Sequence, residues 1–261
     1  MSILIKNGRI VTATDDYVAD IFIEGETVSA IGRQLSVKAD TEIDAAGKLV
    51  FPGGIDPHVH LDMPFMGTYS SDNYETGTRA ALYGGTTMVI DFILQKQGNS
   101  LRSALEEWQS RSTGNCVGDY SFHMAVTDFN DDTRKEIKDF IEQEGITSFK
   151  TFMAYKGALM IDDRQMIGLM EEVKKHGGLI NVHATNGDMI DYLVQKHRAE
   201  GKTAPLYHYL SQPEVTEAEA SERFVDMAGF SGGPGFIVSL SFERGPPAGR
   251  KGTRKKQENV C

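Results

Sequence analysis

The sequence predicts an α/β fold that follows a small all-β module. From about residue 51 onward, short apolar runs alternate with amphipathic stretches, as in parallel strands joined by helices. The runs are almost continuously apolar, which is typical of strands buried on both faces of a sheet. In residues 1–50, by contrast, the apolar runs are separated only by tight turns.

Two turn signals organise the module at residues 1–50. Asn7-Gly8 follows the apolar run 3–5, and Glu24-Gly25 follows the run 20–23. An Asn-Gly pair between apolar runs favours a two-residue hairpin. We therefore expect two hairpins in this module.

The second part, residues 51–241, contains at most six strand–helix units. The predicted strands are 50–60, 86–92, 121–126, 148–153, 179–183 and 236–240, and the predicted helices are 101–111, 133–144, 165–175, 188–200 and 217–227. A closed (β/α)₈ barrel needs eight units, typically over about 250 residues, so a barrel built from this chain would be incomplete. Doubly wound sheets show the same alternation, and the periodicity leaves both architectures open.

Charge and composition argue against several classes of function. The formal net charge is −10, and an acidic surface repels the phosphates of nucleic acids. No apolar run approaches the roughly 20 residues of a membrane helix, and the N-terminal run contains Lys6, Asn7 and Gly8, unlike a signal peptide. Cys116 and Cys261 are too few for a disulfide framework, which favours the reducing cytoplasm.

The C-terminal segment 242–261 departs from the strand–helix rhythm. Glycines and prolines at 245–249 oppose a helix, and Arg254, Lys255 and Lys256 make the segment basic. We interpret it as a solvated basic tail, with binding to anions or to a membrane surface as the alternative.

Asp56-Pro57-His58-Val59-His60 ends the first predicted strand of the second part. Residues i and i+2 of a strand point to the same side, so the imidazoles of His58 and His60 should converge. Two imidazoles at a strand end suit Zn²⁺ or a similar ion. The alternative is a pair of buried, hydrogen-bonded histidines.

Lys150 and His183 lie near the ends of two later strands. Burial should lower the pKa of Lys150, and a neutral amine can react with carbon dioxide to form an anionic carbamate. From spacing alone, a lysine that pairs with a carboxylate or reaches solvent remains the simpler interpretation. His183 is a candidate ligand for a second ion. Asp91 and His123 also lie near strand ends, where polar packing in the core is the favoured interpretation and orientation of a ligand imidazole by Asp91 is the alternative.

Four segments resemble dihydropyrimidinases and bacterial hydantoinases of the amidohydrolase superfamily. They are 58–65 (HVHLDMPF), 84–92 (GGTTMVIDF), 148–157 (SFKTFMAYKG) and 182–184 (VHA). The resemblance runs from residue 1 to about residue 241. It implies a (β/α)₈ TIM-like barrel, incomplete in this chain, with a small N-terminal β-sandwich module.

The resemblance also implies a site with two divalent ions, expected to be zinc. His58 and His60 would bind one ion, carboxylated Lys150 would bridge the two, and His183 would bind the second. Tyr155 would donate a hydrogen bond to the substrate carbonyl or its oxyanion. The loops that gate the ring substituent would contain Met63, Phe65, Ile93, Phe152 and Leu159.

The implied reaction is hydrolysis of a cyclic ureide or imide. It opens dihydropyrimidines to N-carbamoyl-β-amino acids, or 5-substituted hydantoins to N-carbamoyl-α-amino acids. The resemblance implies a cytoplasmic homotetramer that acts on a small molecule, without nucleic acid or membrane partners. Dihydroorotases fit less well, because they have arginine at the position of Asp62.

Two departures from the family pattern leave alternatives open. Ser239 stands where the family has a fourth histidine, and neutral serine is a weak zinc ligand. The family's general-base aspartate would lie beyond the last residue of this chain, which suggests a truncated gene or a damaged reading frame. The alternatives are a non-catalytic relative that binds partners, as the collapsin-response mediator proteins do, and an inactive fragment.

Overall fold

The structure is a computed structural model, and it describes residues 1–65 and 67–242. These residues form two compact units. One contains Met1–Gly54 with Gly85–Thr87, and the other contains Ile55–Gly84 and the chain from Met88 onward. The basic tail expected at 242–261 lies, after its first residue, outside the described residues.

The first unit is a small β module, as predicted, and its described strands form one five-stranded sheet, not the sandwich that the resemblance implied. Its strands are β1 (Ser2–Val11), β2 (Asp16–Glu24), β3 (Thr27–Gly32), β4 (Thr41–Asp44) and β5 (Leu49–Val50). Their order is β3-β2-β1-β4, and β5 also pairs with β1. β1 runs antiparallel to β2 but parallel to β4 and β5. Ile10, Ala19 and Ile21 form its buried core.

One of the two predicted hairpins is wrong. Asn7-Gly8 does not turn the chain back, because β1 continues through it with a register shift between Ile5 and Gly8. Asn7 takes a positive φ of 62°, and its N–H donates to Asp20 Oδ1 at 2.8 Å. This is a bulge within a strand, which an Asn-Gly pair allows as readily as a turn. The second hairpin, between β2 and β3 at Gly25, is confirmed.

The second unit alternates strands with helices. Its elements in chain order are β6 (Gly54–Val59), β7 (Pro64–Phe65), β8 (Thr68–Tyr69), α1 (Tyr74–Tyr83), β9 (Thr86–Leu94), α2 (Leu101–Ser112), β10 (Asp119–Ala125), α3 (Asp131–Glu142), β11 (Ser148–Phe152), α4 (Asp163–Lys175), β12 (Leu179–His183), α5 (Gly187–Ala199), α6 (Leu206–Leu210), α7 (Glu214–Ser231) and β13 (Gly235–Ile237). α1, α6 and the short β7–β8 hairpin are not among the predicted elements. The last strand is shorter than predicted, since it ends at Ile237.

The strand order distinguishes the two architectures that the periodicity left open. The strands follow one another in sequence order, β6-β9-β10-β11-β12-β13, and the pairs from β9 to β13 are parallel. A doubly wound sheet would reverse direction at a switch point. The sheet is therefore six strands of an incomplete (β/α)₈ barrel, with a buried core that includes Trp108, Phe140, Phe149 and Phe224. Among the helices that the structure describes, none is both long and apolar enough to cross a membrane.

Side-chain caps fix where helices begin after the strands. In α3, the side-chain Oδ1 of Asn130 accepts from the N–H groups of Asp132 and Thr133, at 3.0 and 3.1 Å. The Thr133 hydroxyl accepts from the Asn130 N–H at 2.8 Å. Such capping boxes satisfy N–H groups that have no partner inside the helix.

Asn130→Ala should lower the free energy of unfolding by about 1 kcal/mol, because the first turn of α3 loses its acceptor. Urea denaturation measures the change. Asn130→Ser is the matched control, since serine also accepts at an N-cap, and it should cost much less. Equal losses in both variants would contradict the capping role.

Candidate metal centre

His58 and His60 converge as predicted. His58 lies in β6 and His60 directly after it, and their ring centroids are 5.3 Å apart in an edge-on arrangement. Both rings lie against Phe92 of β9, with distances of 4.7 and 5.0 Å between the ring centroids. Both histidines keep part of their surface exposed, because β6 is an edge of the described sheet, while their rings are partly shielded from water against Phe92.

Phe92 joins these histidines to Lys150. The ring is 3% exposed, and the Lys150 Nζ lies 5.3 Å from its centroid. The same amine lies 5.4 Å from the ring centroid of Phe152. Sequence reasoning missed the role of Phe92, because an aromatic residue near the end of a buried strand carries no signal beyond core packing.

Lys150 is buried in β11 between the two aromatic rings, with 3% of its surface exposed. Burial lowers the pKa of its amine to about 7, and no neighbouring carboxylate opposes that shift. A pairing carboxylate, the simpler expectation from spacing, is not found among the described residues. The amine therefore exists partly in its neutral, nucleophilic form near neutral pH.

His183 ends β12, beside Phe152 of β11. Its ring centroid is 6.2 Å from that of Phe152, and the ring stacks on Tyr155 at 5.6 Å. Tyr155 also contacts Phe65 at 6.2 Å. The histidines of the β6 end and Phe92 thus form one group of ring contacts, and Phe65, Phe152, Tyr155 and His183 form another. The Lys150 amine lies between the two groups.

The environment keeps the imidazoles neutral. Desolvation, reinforced by the positive charge of Lys150, lowers the pKa of His58 and of His183 to about 4. The same two causes lower the pKa of His60. Neutral imidazole is the form that binds a metal ion, so the three rings are ready ligands without a proton to lose.

The donor types fit a divalent ion such as zinc, provided that Lys150 takes part. Among the residues that the structure describes, no three His, Cys, Asp or Glu side chains form a metal-binding group by themselves. The imidazoles supply nitrogen donors but no negative charge. A carbamate on Lys150 would add two anionic oxygens between the pair at His58 and the ring of His183.

Tyr155 has an unusual backbone conformation for a tyrosine. Its φ is 63°, and its carbonyl accepts from the N–H groups of Ala158 and Leu159, both at 3.0 Å. A non-glycine residue in the left-handed region costs free energy and persists only where its surroundings hold it. Burial of the hydroxyl raises the pKa of Tyr155, so the group stays protonated and able to donate.

Of the five residues expected in gating loops, four are half-buried and one is completely buried. Met63 and Phe65 are half-buried beyond β6, Leu159 follows Tyr155, and Phe152 is the last residue of β11. The expectation for Ile93 is wrong. It lies inside β9, is completely buried, and belongs to the core.

Ser239 does not lie on a strand. It follows β13 in a turn, with a φ of 56°. Together with His183 and Glu217 it lines a cavity of about 370 Å³. The carboxylate of Glu217 accepts hydrogen bonds from the N–H and the hydroxyl of Ser241, at 2.8 and 2.6 Å.

Asp91 and His123 make contacts of the kind expected for polar packing in the core. Asp91 is fully buried and accepts from the Tyr74 hydroxyl at 2.7 Å. His123 Nε2 lies 2.9 Å from the carbonyl oxygen of Pro57, which only accepts, so this nitrogen carries the proton. Its Nδ1 faces the Ser148 hydroxyl and, at 3.3 Å, the Asn181 amide. His123 thus links β6 to β11 and β12.

Cys116 has no catalytic surroundings. Burial, with a smaller contribution from the carboxylate of Asp91, raises the pKa of its thiol to about 11. The thiol is therefore protonated at neutral pH and a poor nucleophile.

His123→Phe should lower the free energy of unfolding by about 1–3 kcal/mol, because the Pro57 carbonyl and the Asn181 amide lose their partner inside the sheet. His208→Phe is the matched control, since that histidine is exposed and its ring bonds, among the described residues, to Gln212 alone. Urea denaturation of the two variants measures their free energies of unfolding. A loss in His123→Phe no larger than in the control would contradict the linking role.

The chain is similar to known proteins in both sequence and structure. Residues 49–220 match the Amidohydrolase family. A D-hydantoinase of Geobacillus stearothermophilus is 47% identical over 92% of this chain and 51% of its own length. A dihydropyrimidinase of Rattus norvegicus is 44% identical over 91% of this chain and 47% of its own. The crystal structure of dihydropyrimidinase from Brevibacillus agri NCHU1002 superposes with a TM-score of 0.89 at 46% identity, over 91% of this chain and 51% of that one. The chain spans about half the length of the curated relatives it matches.

Proposed function

The chain belongs to the amidohydrolase family, and from this membership we propose that it serves in the metal-dependent hydrolysis of a cyclic amide bond. The proposed substrates are dihydropyrimidines or 5-substituted hydantoins, which open to N-carbamoyl amino acids. The observation that carries the proposal is the convergence of His58, His60, Lys150, His183 and Tyr155 at one end of the sheet. Active sites of (β/α)₈ barrels are built at the C-terminal ends of the strands.

Lys150 would act as a carbamate. The lone pair of its neutral amine attacks the carbon of carbon dioxide, an N–C bond forms, and the amine releases one proton to solvent. The product replaces a buried cation by an anion among three neutral imidazoles. This exchange supports the proposal, because a buried cation without a counter-charge is costly and an anion beside two cationic metals is not.

Two divalent ions, proposed to be zinc from the nitrogen and oxygen donors, would occupy the site. His58 and His60 would hold one ion, His183 the other, and carboxylated Lys150 would bridge them. When bound, the ions supply Lewis acidity toward the substrate carbonyl and the attacking water.

Tyr155 would stabilise the charge that develops on the substrate oxygen. Its protonated hydroxyl donates a hydrogen bond that strengthens as the carbonyl becomes an oxyanion. The rings of Phe65 and Phe152 contact Tyr155 and form apolar walls. With Met63 and Leu159 they would receive the ring substituent and exclude water.

The retained donor positions favour a hydrolase over a non-catalytic relative that only binds partners. As parts of the same proposal, the protein would work in the cytoplasm as a homotetramer. Neither feature is needed for the chemistry of the site.

Ring opening is the direct test of the function. The protein, loaded with zinc in the presence of bicarbonate, should convert dihydrouracil or a 5-substituted hydantoin to its N-carbamoyl amino acid, detected by mass spectrometry. Lys150→Ala should abolish the conversion because it removes the bridging anion. Lys135→Ala is the matched control, since that lysine is exposed on α3. Failure of the zinc-loaded wild-type protein to open either ring would contradict the proposed function.

Tyr155→Phe should lower kcat by about 10²–10³-fold, the usual cost of losing one donor to an oxyanion. Zinc content should not change, because the tyrosine is not a proposed ligand. Steady-state kinetics and metal analysis of the same preparation measure both quantities. An unchanged kcat, or a loss of zinc, would count against the assigned role.

A further inference from the structure

The chain makes a strained turn directly after His60. Asp62 has a φ of 48°, in the left-handed region that favours glycine. Such a conformation is unfavourable for a residue with a side chain, although aspartate tolerates it better than most. The turn leads the chain from β6 toward β7, so its geometry bears on the position of His60.

Hydrogen bonds between residues 62–63 and residues 70–72 hold one side of the turn. The Asp62 N–H donates to the carbonyl of Asp72 at 2.8 Å. Met63 donates through its N–H to the Ser70 hydroxyl at 2.9 Å, and its carbonyl accepts from the Ser70 N–H at 3.0 Å. None of these hydrogen bonds involves the Asp62 carbonyl, which therefore needs a donor from another part of the chain.

Arg111 of α2 supplies that contact from a distance of 49 residues along the chain. Its Nη1 donates to the Asp62 carbonyl at 2.8 Å, and its Nη2 donates to Glu107 at 2.5 Å. The guanidinium lies over the rings of Trp108 and Tyr69, 5.0 and 5.9 Å from their centroids. Only 19% of the side chain is exposed.

We propose that Arg111 is a positioning residue for the metal centre. It holds Asp62 in the left-handed conformation and thereby fixes the backbone that follows His60. The structural part of this inference stands on the contacts of Arg111 alone, and its consequence for metal binding rests on the proposed function.

The planar guanidinium of arginine is required to make these contacts together. One guanidinium donates to a carbonyl and to a carboxylate in different directions while both of its faces remain available to aromatic rings. A lysine ammonium reaches one of the two acceptors at a time and does not stack as a plane.

The same helix provides a matched control. Arg102 of α2 also pairs with a glutamate, Glu144, at 2.5 Å, and also lies over an aromatic ring, that of Phe140, at 5.3 Å. It makes no contact with the turn. Arg102→Gln therefore removes the same kinds of interaction from α2 and leaves Asp62 untouched.

Amide hydrogen exchange of the full chain, without substrate, tests the proposal. Arg111→Gln should accelerate exchange at Asp62 and Met63 by about tenfold, the effect of one charge-assisted hydrogen bond. Arg102→Gln should leave these amides within about twofold of wild type. Arg111→Lys, which keeps the charge and much of the packing, should give an intermediate rate and covers the case in which Arg111→Gln does not fold.

Relief of the strain provides a second, independent readout. Asp62→Gly in the Arg111→Gln background should restore slow exchange, because glycine adopts a positive φ without a steric cost. Retention of zinc against a chelator should follow the same order: reduced in Arg111→Gln, normal in Arg102→Gln, and recovered in the double variant.

Three results would overturn the proposal. They are unchanged exchange in both Arg111 variants, equal acceleration in Arg111→Gln and Arg102→Gln, and no recovery with Asp62→Gly. These measurements need neither substrate nor turnover, so a failure here is distinguishable from a failure to open the ring. Altered exchange with unaltered zinc retention would overturn the link to the metal centre and leave the hydrolase proposal standing.

Discussion

The burial of the Lys150 amine without a carboxylate partner is the constraint on which the site depends. Two aromatic rings, those of Phe92 and Phe152, take the places where a counter-charge would be expected. Desolvation lowers the pKa of the amine to about 7, and desolvation together with the positive charge of Lys150 lowers the pKa values of His58 and His183. A lysine that served stability alone would gain more from a paired or solvent-exposed position. Its burial is therefore better explained by a role that needs a neutral, reactive amine.

The fold delivers this arrangement because parallel strands end together. β6, β11 and β12 are separated by many residues in sequence, yet their C-terminal ends bring His58, Lys150 and His183 to one region. The polar contacts of His123 link the same strands below the site. The turn at Asp62 then sets how the chain leaves His60, which is how a contact from α2 would influence the proposed metal centre.

Much of this organisation could be predicted from local patterns, and the exceptions have physical reasons. The period of two in His58-Val59-His60 predicted convergence, and the alternation of runs predicted parallel strands. Asn7-Gly8 was misinterpreted because a positive φ serves a bulge as well as a hairpin. The last strand was predicted too long, since apolar residues continue to Leu240 although the backbone turns at Ser239. The roles of Phe92 and Arg111 depend on contacts between distant segments, which no local pattern reports.

The proposed chemistry depends on Lys150 becoming an anion, and that conversion can be observed directly. The measurement is the nuclear magnetic resonance spectrum of the zinc-loaded protein prepared in isotopically labelled bicarbonate. A protein-bound carbamate resonance that is absent from the Lys150→Ala protein is the predicted result. A spectrum without such a resonance, from protein that nonetheless holds zinc, would contradict the account, because the three imidazoles alone would then be the ligands.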